Sequence, residues 1–254
     1  MFVEERQSMI MEMLRENGKV RVKELSKKFE VTEDLIRKDL TTLEDKGLLK
    51  KAYGGAVLEK INVHRETVVQ RKEMHLEEKK KVAKKAVSLL QERNVIFLDI
   101  STISVEIAIL LANQSKQYTV VTNMIAVMRT LSSVTHIQLI FIGGELDYGL
   151  DGFVGSLANE MIRKFNFDIA FMGVVGIDVH DNSISTYMPN DGITKKEILT
   201  NSKVSYIICE SNKFEQTGSY KYAQLTDFKG IISDQEPNTE TKKQVSTLGV
   251  QLYI

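Results

Sequence analysis

Polar side chains and glycines follow the short apolar runs in the second half of the chain. Hydroxyls and backbone amides at helix N-termini attract anions, because those amides lack acceptors and the helix dipole is positive there. Two lysines, one near the start of a helix and one after a strand, would add positive charge. The residues that we expect to form this site are Asp99, Ser101, Thr102, Thr122, Asn123, Gly143, Gly144, Lys195 and Lys213. The pattern predicts a small phosphorylated ligand.

Each of these residues, taken alone, has a structural explanation. Ser and Thr after a strand are usually helix caps, glycines there usually form turns, and a lysine such as Lys213 usually lies on the surface. The hypothesis therefore depends on polar groups gathering at one end of several strands, where ligands bind in open α/β sheets. The four histidines and one cysteine are scattered, so we expect no metal site.

A second group of side chains lies on a helix that begins after Thr32. The Thr32 hydroxyl makes a good N-cap, because it accepts a hydrogen bond from a free amide of the first turn. Ile36, Leu40 and Leu43 recur at helical spacing and form one apolar face. The Arg, Lys and Thr side chains of this segment fall largely off that face, and Gly47 is expected to end the helix.

A short basic hairpin is predicted after this helix, over residues 48–57. Gly54 and Gly55 suit a tight turn between its strands. A winged helix-turn-helix needs a helix that presents Arg, Lys and Thr to the major groove, followed by a hairpin that touches the DNA backbone. The residues that we expect to contact DNA are Thr32, Arg37, Lys38, Thr41, Lys50, Lys51, Tyr53 and Gly54.

The elements that position these two groups indicate two domains of different type. Three short helices and the hairpin form a small N-terminal domain over residues 1–57, and the polar residues 58–74 are interpreted as a linker. Residues 75–254 alternate short apolar strands with helices, which predicts a mostly parallel sheet covered on both faces. The fold class is therefore α/β, with an added winged helix-turn-helix. Both prolines, Pro189 and Pro237, are assigned to loops.

Composition sets limits on the class of protein. The 254 residues carry no net charge, and residues 1–60 hold 13 Lys and Arg against 12 Asp and Glu, so DNA contact depends on local placement of charge. The basic run at 79–85 is interpreted as a solvated helix face.

The single cysteine favours a reducing compartment. With no apolar run of about 20 residues and an acidic start unlike a signal peptide, we expect a cytoplasmic protein.

Over nearly its full length the chain resembles the DeoR family of bacterial transcriptional regulators. The C-terminal half is similar to that family's sugar-phosphate sensor domain, whose fold is shared with ribose-5-phosphate isomerase and CoA transferases. The resemblance implies that Arg37 and Lys38 face DNA and that Asp39 pairs with a basic side chain. The segments that carry it are 31–40, 43–44, Gly47, 53–56, 97–99, Thr102, 120–123, 143–144, 154–155, 168–171, 176–177 and 213–214.

Several positions depart from the family pattern. Ser101 stands where a glycine is usual, and Val175 stands where an acid is usual. These departures imply that the protein binds an unusual effector or binds its effector more weakly. The other departures are Leu35 for a small polar residue, Gly192 for alanine, Thr194 for an aliphatic residue and Glu210 for aspartate.

Three functions fit these observations. The first is a DNA-binding regulator, specifically a repressor of a sugar-metabolism operon, that binds a phosphorylated sugar without a cofactor. Proteins that recognise symmetric DNA half-sites bind them as dimers or larger symmetric oligomers, so we expect a homodimer or homotetramer. The second is a sugar-phosphate isomerase or transferase with an added DNA-binding domain, which needs a carboxylate base that Val175 does not supply. The third is a DNA-binding scaffold without an effector.

Overall fold

The computed structural model describes residues 3–45, 49–57 and 68–254. The chain divides into two compact units, residues 1–65 and residues 66–254. Each unit has its own apolar core. None of the helices in the described part of the chain combines the length and the apolar character needed to cross a bilayer.

The described residues of the N-terminal unit form the three predicted helices and the predicted hairpin, to which β1 adds a third strand in an antiparallel sheet. The helices pack their apolar faces together around Ile10, Leu25, Ile36 and Leu40, which are all buried. The strands are ordered β1-β3-β2. Gly47 and Leu48 lie outside the described residues. The elements are α1 (Val3–Asn17), β1 (Lys19–Arg21), α2 (Val22–Phe29), α3 (Glu33–Asp45), β2 (Lys50–Ala52) and β3 (Gly55–Val57).

A buried ion pair joins α1 to α3 in this unit. Arg6 Nε donates to Asp39 Oδ2 at 2.5 Å, and the Gln7 amide donates to Asp39 Oδ1 at 3.3 Å. Both charged side chains are 4% exposed. Asp39 therefore pairs with a basic side chain inside the domain, as the family resemblance implies.

The larger unit contains a seven-stranded, fully parallel sheet, which confirms the predicted α/β architecture. Its helices are α4 (Val68–Glu73), α5 (Leu76–Ser88), α6 (Thr102–Ala112), α7 (Ile125–Leu131), α8 (Ser156–Ile162), α9 (Pro189–Thr200) and α10 (Thr239–Thr247). Its strands are β4 (Val95–Leu98), β5 (Tyr118–Thr122), β6 (Ile137–Phe141), β7 (Glu145–Asp147), β8 (Gly152–Val154), β9 (Ile169–Gly173), β10 (Gly176–Asp178), β11 (Ser183–Thr186), β12 (Ser205–Cys209), β13 (Tyr220–Gln224), β14 (Gly230–Ser233) and β15 (Gln251–Tyr253).

The sheet has the order β15-β14-β12-β9-β4-β5-β6 and is covered on both faces. Successive side chains of a strand point to opposite faces. In β4, Ile96 and Leu98 accordingly join one core cluster and Phe97 joins the other. This arrangement brings the C-terminal ends of β4, β5, β9 and β12 to one edge.

The structure corrects several details of the prediction. Pro189 is the first residue of α9 rather than a loop residue, because a helix tolerates the missing amide hydrogen at this position. The sequence pattern predicts a helix over residues 153–165, but Phe153 belongs to β8 and the helix α8 spans only Ser156–Ile162. The antiparallel sheet β10-β11-β13 and the hairpin β7-β8 are additional to the predicted elements. Within the predicted linker, Val68–Glu73 is helical, and residues 58–67 lie outside the described residues.

Candidate ligand site and nucleic-acid interface

Asp99, the first residue after β4, lies in a buried ionic cluster. Its Oδ2 accepts hydrogen bonds from Lys195 Nζ and from the Gly173 backbone amide, the latter at 3.0 Å. Lys195 Nζ also donates to the Gly173 carbonyl at 3.1 Å and lies 3.8 Å from Asp191 Oδ1. Thr186 Oγ1 donates to Asp191 Oδ2 at 2.5 Å. The cluster therefore joins β4, β9, β11 and α9 at the C-terminal edge of the sheet.

The cluster holds two carboxylates and one ammonium in the protein interior. Burial raises the pKa of Asp99, although the charge of Lys195 opposes this effect. Burial acts to lower the pKa of Lys195, but the carboxylates of Asp191 and Asp99 outweigh it and raise that pKa. Lys195 therefore stays charged at neutral pH. The two carboxyl groups offer hydrogen-bond acceptors, which favours hydrogen-bond donors next to the cluster.

Ser101 caps the helix that follows Asp99. Its Oγ accepts a hydrogen bond from the Ile103 amide at 3.2 Å, at the start of α6. A serine fits here because Gly173 has no side chain, and a Cβ at Gly173 would lie 2.7 Å from Ser101 Cβ. Ser101 and Thr102 are half-buried, whereas Asp99 is fully buried. The start of α6 thus forms an outer polar layer beside the ionic cluster.

Thr122 and Asn123 lie at the end of the neighbouring strand β5. Thr122 Oγ1 donates to the Leu98 carbonyl at 2.7 Å and accepts from the Met124 amide at 3.1 Å, so its hydroxyl is engaged in the fold. Asn123 Nδ2 donates to the Phe153 carbonyl at 2.9 Å. Asn123 Oδ1 is buried and has no hydrogen-bond partner among the described residues. Of this pair, only Asn123 keeps an unused polar atom.

The remaining predicted ligand residues lie outside the ionic cluster. Gly144 lies against β8 and α8, since a Cβ there would lie 2.8 Å from the Val154 carbonyl oxygen and 3.0 Å from Ala158 Cβ, and Gly143 precedes it. Lys213 lies on a short 3-10 helix after β12, and its Nζ donates to Gln216 Oε1 at 2.8 Å. The structure therefore brings Asp99 and Lys195 into direct contact and gives Lys213 a separate partner.

Three residues of this region are additional to the predicted set. Asp191 precedes Lys195 by four residues on α9, a helical spacing that could have identified it. Thr194 Oγ1 donates to Asn159 Oδ1 at 2.7 Å and ties α8 to α9. Tyr222 of β13 is buried, and this burial, together with the charges of Asp99 and Asp191, raises its pKa; no sequence pattern predicted that strand.

The predicted DNA-reading helix is α3. Thr32 Oγ1 accepts from the Leu35 amide at 3.4 Å, which caps the helix. Arg37 is exposed, and its guanidinium donates to Asp34 and Glu33 at 2.8 Å each. Lys38 is also exposed, whereas Leu35 is half-buried. The helix therefore presents its basic side chains to solvent, and the two acids hold the Arg37 side chain over the first turn.

The hairpin formed by β2 and β3 is the predicted wing. Lys51 Nζ donates to Thr41 Oγ1 at 3.0 Å and lies 3.3 Å from Glu44, so the wing is tied to α3. The Lys51 backbone amide also donates to Glu44, and this hydrogen bond lowers the pKa of Glu44. Lys50 is exposed beside these contacts. The positive charge of the wing is thus partly neutralised within the domain.

Tyr53 and two glycines form the tip of the wing. Tyr53 is fully exposed, and Gly54 adopts a φ of +76°, which a glycine reaches without strain. Gly55 lies against β1, since a Cβ there would be 2.0 Å from the Val20 carbonyl oxygen. The Gly54-Gly55 pair is therefore required both for the turn and for docking the hairpin onto the domain.

Two family models match this chain. Residues 6–62 match the DeoR-like helix-turn-helix domain, and residues 74–235 match the DeoR C terminal sensor domain. The chain belongs to the DeoR family. The two matches confirm the predicted family of each domain. They also confirm the prediction that this protein is a transcriptional regulator.

Curated DeoR relatives match along nearly their whole length. The HTH-type transcriptional repressor GlcR of Bacillus subtilis is 28% identical over 100% of this chain and 97% of its own. The glycerol-3-phosphate regulon repressor of Escherichia coli is 27% identical, with 98% of both chains covered. The L-fucose operon activator of Haemophilus influenzae is 30% identical over 90% of this chain and 91% of its own. These relatives thus include two transcriptional repressors and one activator, the activator being that of an L-fucose operon.

Solved structures show a more distant likeness. Ribose 5-phosphate isomerase A of Methanocaldococcus jannaschii has a TM-score of 0.40 at 16% identity and covers 53% of this chain and 52% of its own. The probable sor operon regulator of Shigella flexneri has a TM-score of 0.40 at 13% identity and covers 68% of this chain and 89% of its own.

Proposed function

We propose that this protein is a cytoplasmic repressor of a sugar-metabolism operon that releases its operator when it binds a phosphorylated sugar. The observation that carries the proposal is the meeting of Asp99, Lys195 and the capped start of α6 at one edge of the sheet, in a chain whose other unit is a helix-turn-helix domain. One unit supplies DNA recognition and the other supplies a polar ligand site. The protein acts as a dimer or tetramer on a symmetric operator.

The DNA-binding half of the proposal depends on a few specific contacts. Arg37 and Lys38 are exposed on α3, and Tyr53 is exposed at the tip of the wing. The near-neutral charge of residues 1–60 gives little general attraction to phosphate. Base-edge contacts from α3 therefore supply most of the binding energy, so removal of the two basic side chains has a large effect.

The sensor half of the proposal depends on two layers at the sheet edge. The inner layer is the ionic cluster, whose carboxyl oxygens suit the hydroxyl groups of a sugar. The outer layer is the start of α6, an eleven-residue helix whose N-terminal amides and positive dipole end suit a phosphate group. A ligand that carries hydroxyls at one end and a phosphate at the other matches both layers.

The test of DNA recognition uses DNA from upstream of the protein's own gene. We expect Arg37→Ala/Lys38→Ala to weaken binding by about 10–100-fold, because a base contact contributes about 1–3 kcal/mol. The control Lys242→Ala/Lys243→Ala removes the same charge from exposed positions of α10 and should leave affinity nearly unchanged. Equal affinities of both variants and the wild type would show that α3 is not the reading helix.

The test of ligand binding is a thermal-shift screen of the full chain. The panel contains ribose 5-phosphate, glucose 6-phosphate and fructose 6-phosphate, with inorganic phosphate as control. We expect at least one sugar phosphate to raise Tm, because a ligand that binds only the folded state stabilises it. No shift with any member at millimolar concentration would contradict the sensor half of the proposal.

A further inference from the structure

Lys79 is a buried lysine on the apolar face of α5. It shares that face with Val82, Ala83 and Ala86, and it is 3% exposed. The sequence predicts that the basic run 79–85 is solvated, but Lys79 departs from this prediction because it lies on the buried side of the helix. Lysines are almost never fully buried unless their charge is paired. The position of Lys79 therefore indicates that its ammonium group makes specific contacts.

The Lys79 ammonium group holds the C-terminal end of α4. Its Nζ donates to the Met74 carbonyl at 2.5 Å and to the Arg71 carbonyl. The last carbonyl groups of a helix lack partners within the helix and carry partial negative charge, so a cation beside them is favourable. Residues 70–73 are half-buried or exposed. Hydrogen bonds therefore contribute much of the attachment of this part of α4.

The same ammonium group reaches the C-terminal edge of the parallel sheet, which we call the ligand edge because the predicted ligand residues lie there. Lys79 Nζ lies 3.7 Å from Glu210 Oε1, and Glu210 directly follows β12. The Glu210 carbonyl accepts from the Lys213 amide at 3.0 Å, at the start of the short 3-10 helix that carries this predicted ligand residue. Lys79 thus connects α4 to the segment that contains Lys213.

A second contact fastens α4 to a different segment of the ligand edge. The Arg71 guanidinium donates to the Gly149 carbonyl at 2.9 Å, and Gly149 lies in the turn between β7 and β8. The strand β8 is hydrogen-bonded to Asn123, because Asn123 Nδ2 donates to the Phe153 carbonyl at 2.9 Å and the Phe153 amide donates to the Asn123 carbonyl at 2.8 Å. The helix α4 is therefore fastened to two segments that each contain or adjoin a predicted ligand residue.

We propose that Lys79 and Arg71 are positioning residues that dock α4 onto the ligand edge, and that a bound ligand weakens DNA binding by releasing α4. The inference rests on the proposed function, because it names the contacts through which the same effector site acts on DNA. Residues 58–67 connect α4 to β3, so docking of α4 fixes one end of this connection. A helix with few buried contacts opens locally at low cost, so a ligand that moves the two segments shifts the balance towards release.

The test compares Lys79→Met and Arg71→Met with a matched control, Lys80→Met. Lys80 lies on the same helix as Lys79, but its side chain is 43% exposed and donates to Glu77 at 2.8 Å. Fluorescence anisotropy of DNA from upstream of the gene gives the DNA Kd of each full chain with and without ribose 5-phosphate, glucose 6-phosphate or fructose 6-phosphate. Calorimetry gives the Kd of each sugar phosphate, and thermal unfolding gives stability. Hydrogen exchange of the backbone amides reports release of α4.

We expect both variants to bind DNA more weakly than the wild type without ligand, because α4 is already released. The effective sugar phosphate should then change their DNA Kd by about 2–30-fold less than it changes that of the wild type. Both variants should bind the sugar phosphate at least as tightly as the wild type, because the ligand no longer has to release α4. Amides of residues 68–74 should exchange faster in both variants, and faster in the liganded wild type. Lys80→Met should match the wild type throughout.

Other results overturn the inference. Full coupling in both variants means that α4 does not transmit the signal, and weaker sugar-phosphate binding means that the side chains support the ligand site instead. Should Lys79→Met prove unfolded at the assay temperature, Arg71→Met decides, because Arg71 is only half-buried. A coupled wild type with coupled variants rejects this inference alone. Should no sugar phosphate change the DNA Kd of the wild type, the proposed function fails and the inference fails with it.

Discussion

Removal of the Lys195 ammonium tests the buried cluster most sharply. Lys195→Met keeps the approximate length of the side chain but leaves the carboxylates of Asp99 and Asp191 buried without their cation. Removing one partner of a buried ion pair costs about 3–5 kcal/mol. In a unit of this size each kcal/mol lowers Tm by about 2–4 °C, so we expect Tm to fall by about 10 °C.

The size of this loss depends on pH, because Asp99 can take up a proton. Burial and the charge of Asp191 both raise the pKa of Asp99, and Lys195 opposes them. Without Lys195, the folded-state pKa rises further above the ordinary value of 3.8. The folded state then holds a proton that the unfolded state releases, so stability falls as pH rises through this window. The Tm difference from wild type should be larger at about pH 8 than at about pH 5.

The assay is thermal unfolding of the full chain by far-ultraviolet circular dichroism, since the chain has no tryptophan. The matched control is Lys196→Met, whose side chain is 52% exposed and pairs with Asp227 at 3.3 Å, a contact worth about 1 kcal/mol or less. Asp99→Asn/Lys195→Met should be more stable than Lys195→Met, because the second substitution removes one of the two carboxyl groups that the loss of Lys195 leaves buried without a cation. Equal Tm values for Lys195→Met and Lys196→Met, or no recovery in the double variant, would refute the reasoning.

Three further predictions follow from contacts elsewhere in the two units. Gly55→Ala should destabilise the N-terminal unit by about 1–3 kcal/mol and weaken DNA binding, because its Cβ would lie 2.0 Å from a β1 carbonyl; wild-type Tm and affinity would contradict this. Arg6→Met should lower the free energy of unfolding by about 3–5 kcal/mol, measured in urea, because it leaves Asp39 buried and unpaired; a loss below about 1 kcal/mol would count against the buried pair. Lys203→Met removes the hydrogen bond that lowers the pKa of Asp168, so its Tm deficit should shrink as pH falls from about 5 to about 3, whereas a constant deficit would exclude this linkage.

Local sequence patterns were sufficient to predict the helices and strands that bury apolar side chains. The parallel strand β4 consists of four apolar residues, and α3 has both a cap and a helical apolar stripe. The strand β11 has the sequence SIST, whose small polar residues hide the fact that all four are buried. Its partner β13 lies more than 30 residues away along the chain, so no local pattern reveals their pairing.

The candidate site shows the same division between local and non-local information. Asp99 and Lys195 were assigned to one edge of the sheet from the strand pattern alone. Their direct contact depends on how α9 packs on β9, which the sequence pattern does not contain. Tyr222 was missed because its position depends on a bulge in an unpredicted sheet. The departure at Gly192 is explained only when the Tyr220 ring is seen to occupy the space of a side chain.

The central claim is that ligand binding at the sheet edge controls DNA binding. Fluorescence anisotropy of DNA from upstream of the gene, titrated with the full chain, tests this directly with and without each sugar phosphate. We predict that at least one sugar phosphate changes the DNA Kd by about 5–150-fold, the usual range of coupling between two sites, while inorganic phosphate does not. Tight DNA binding that no sugar phosphate alters would contradict the account.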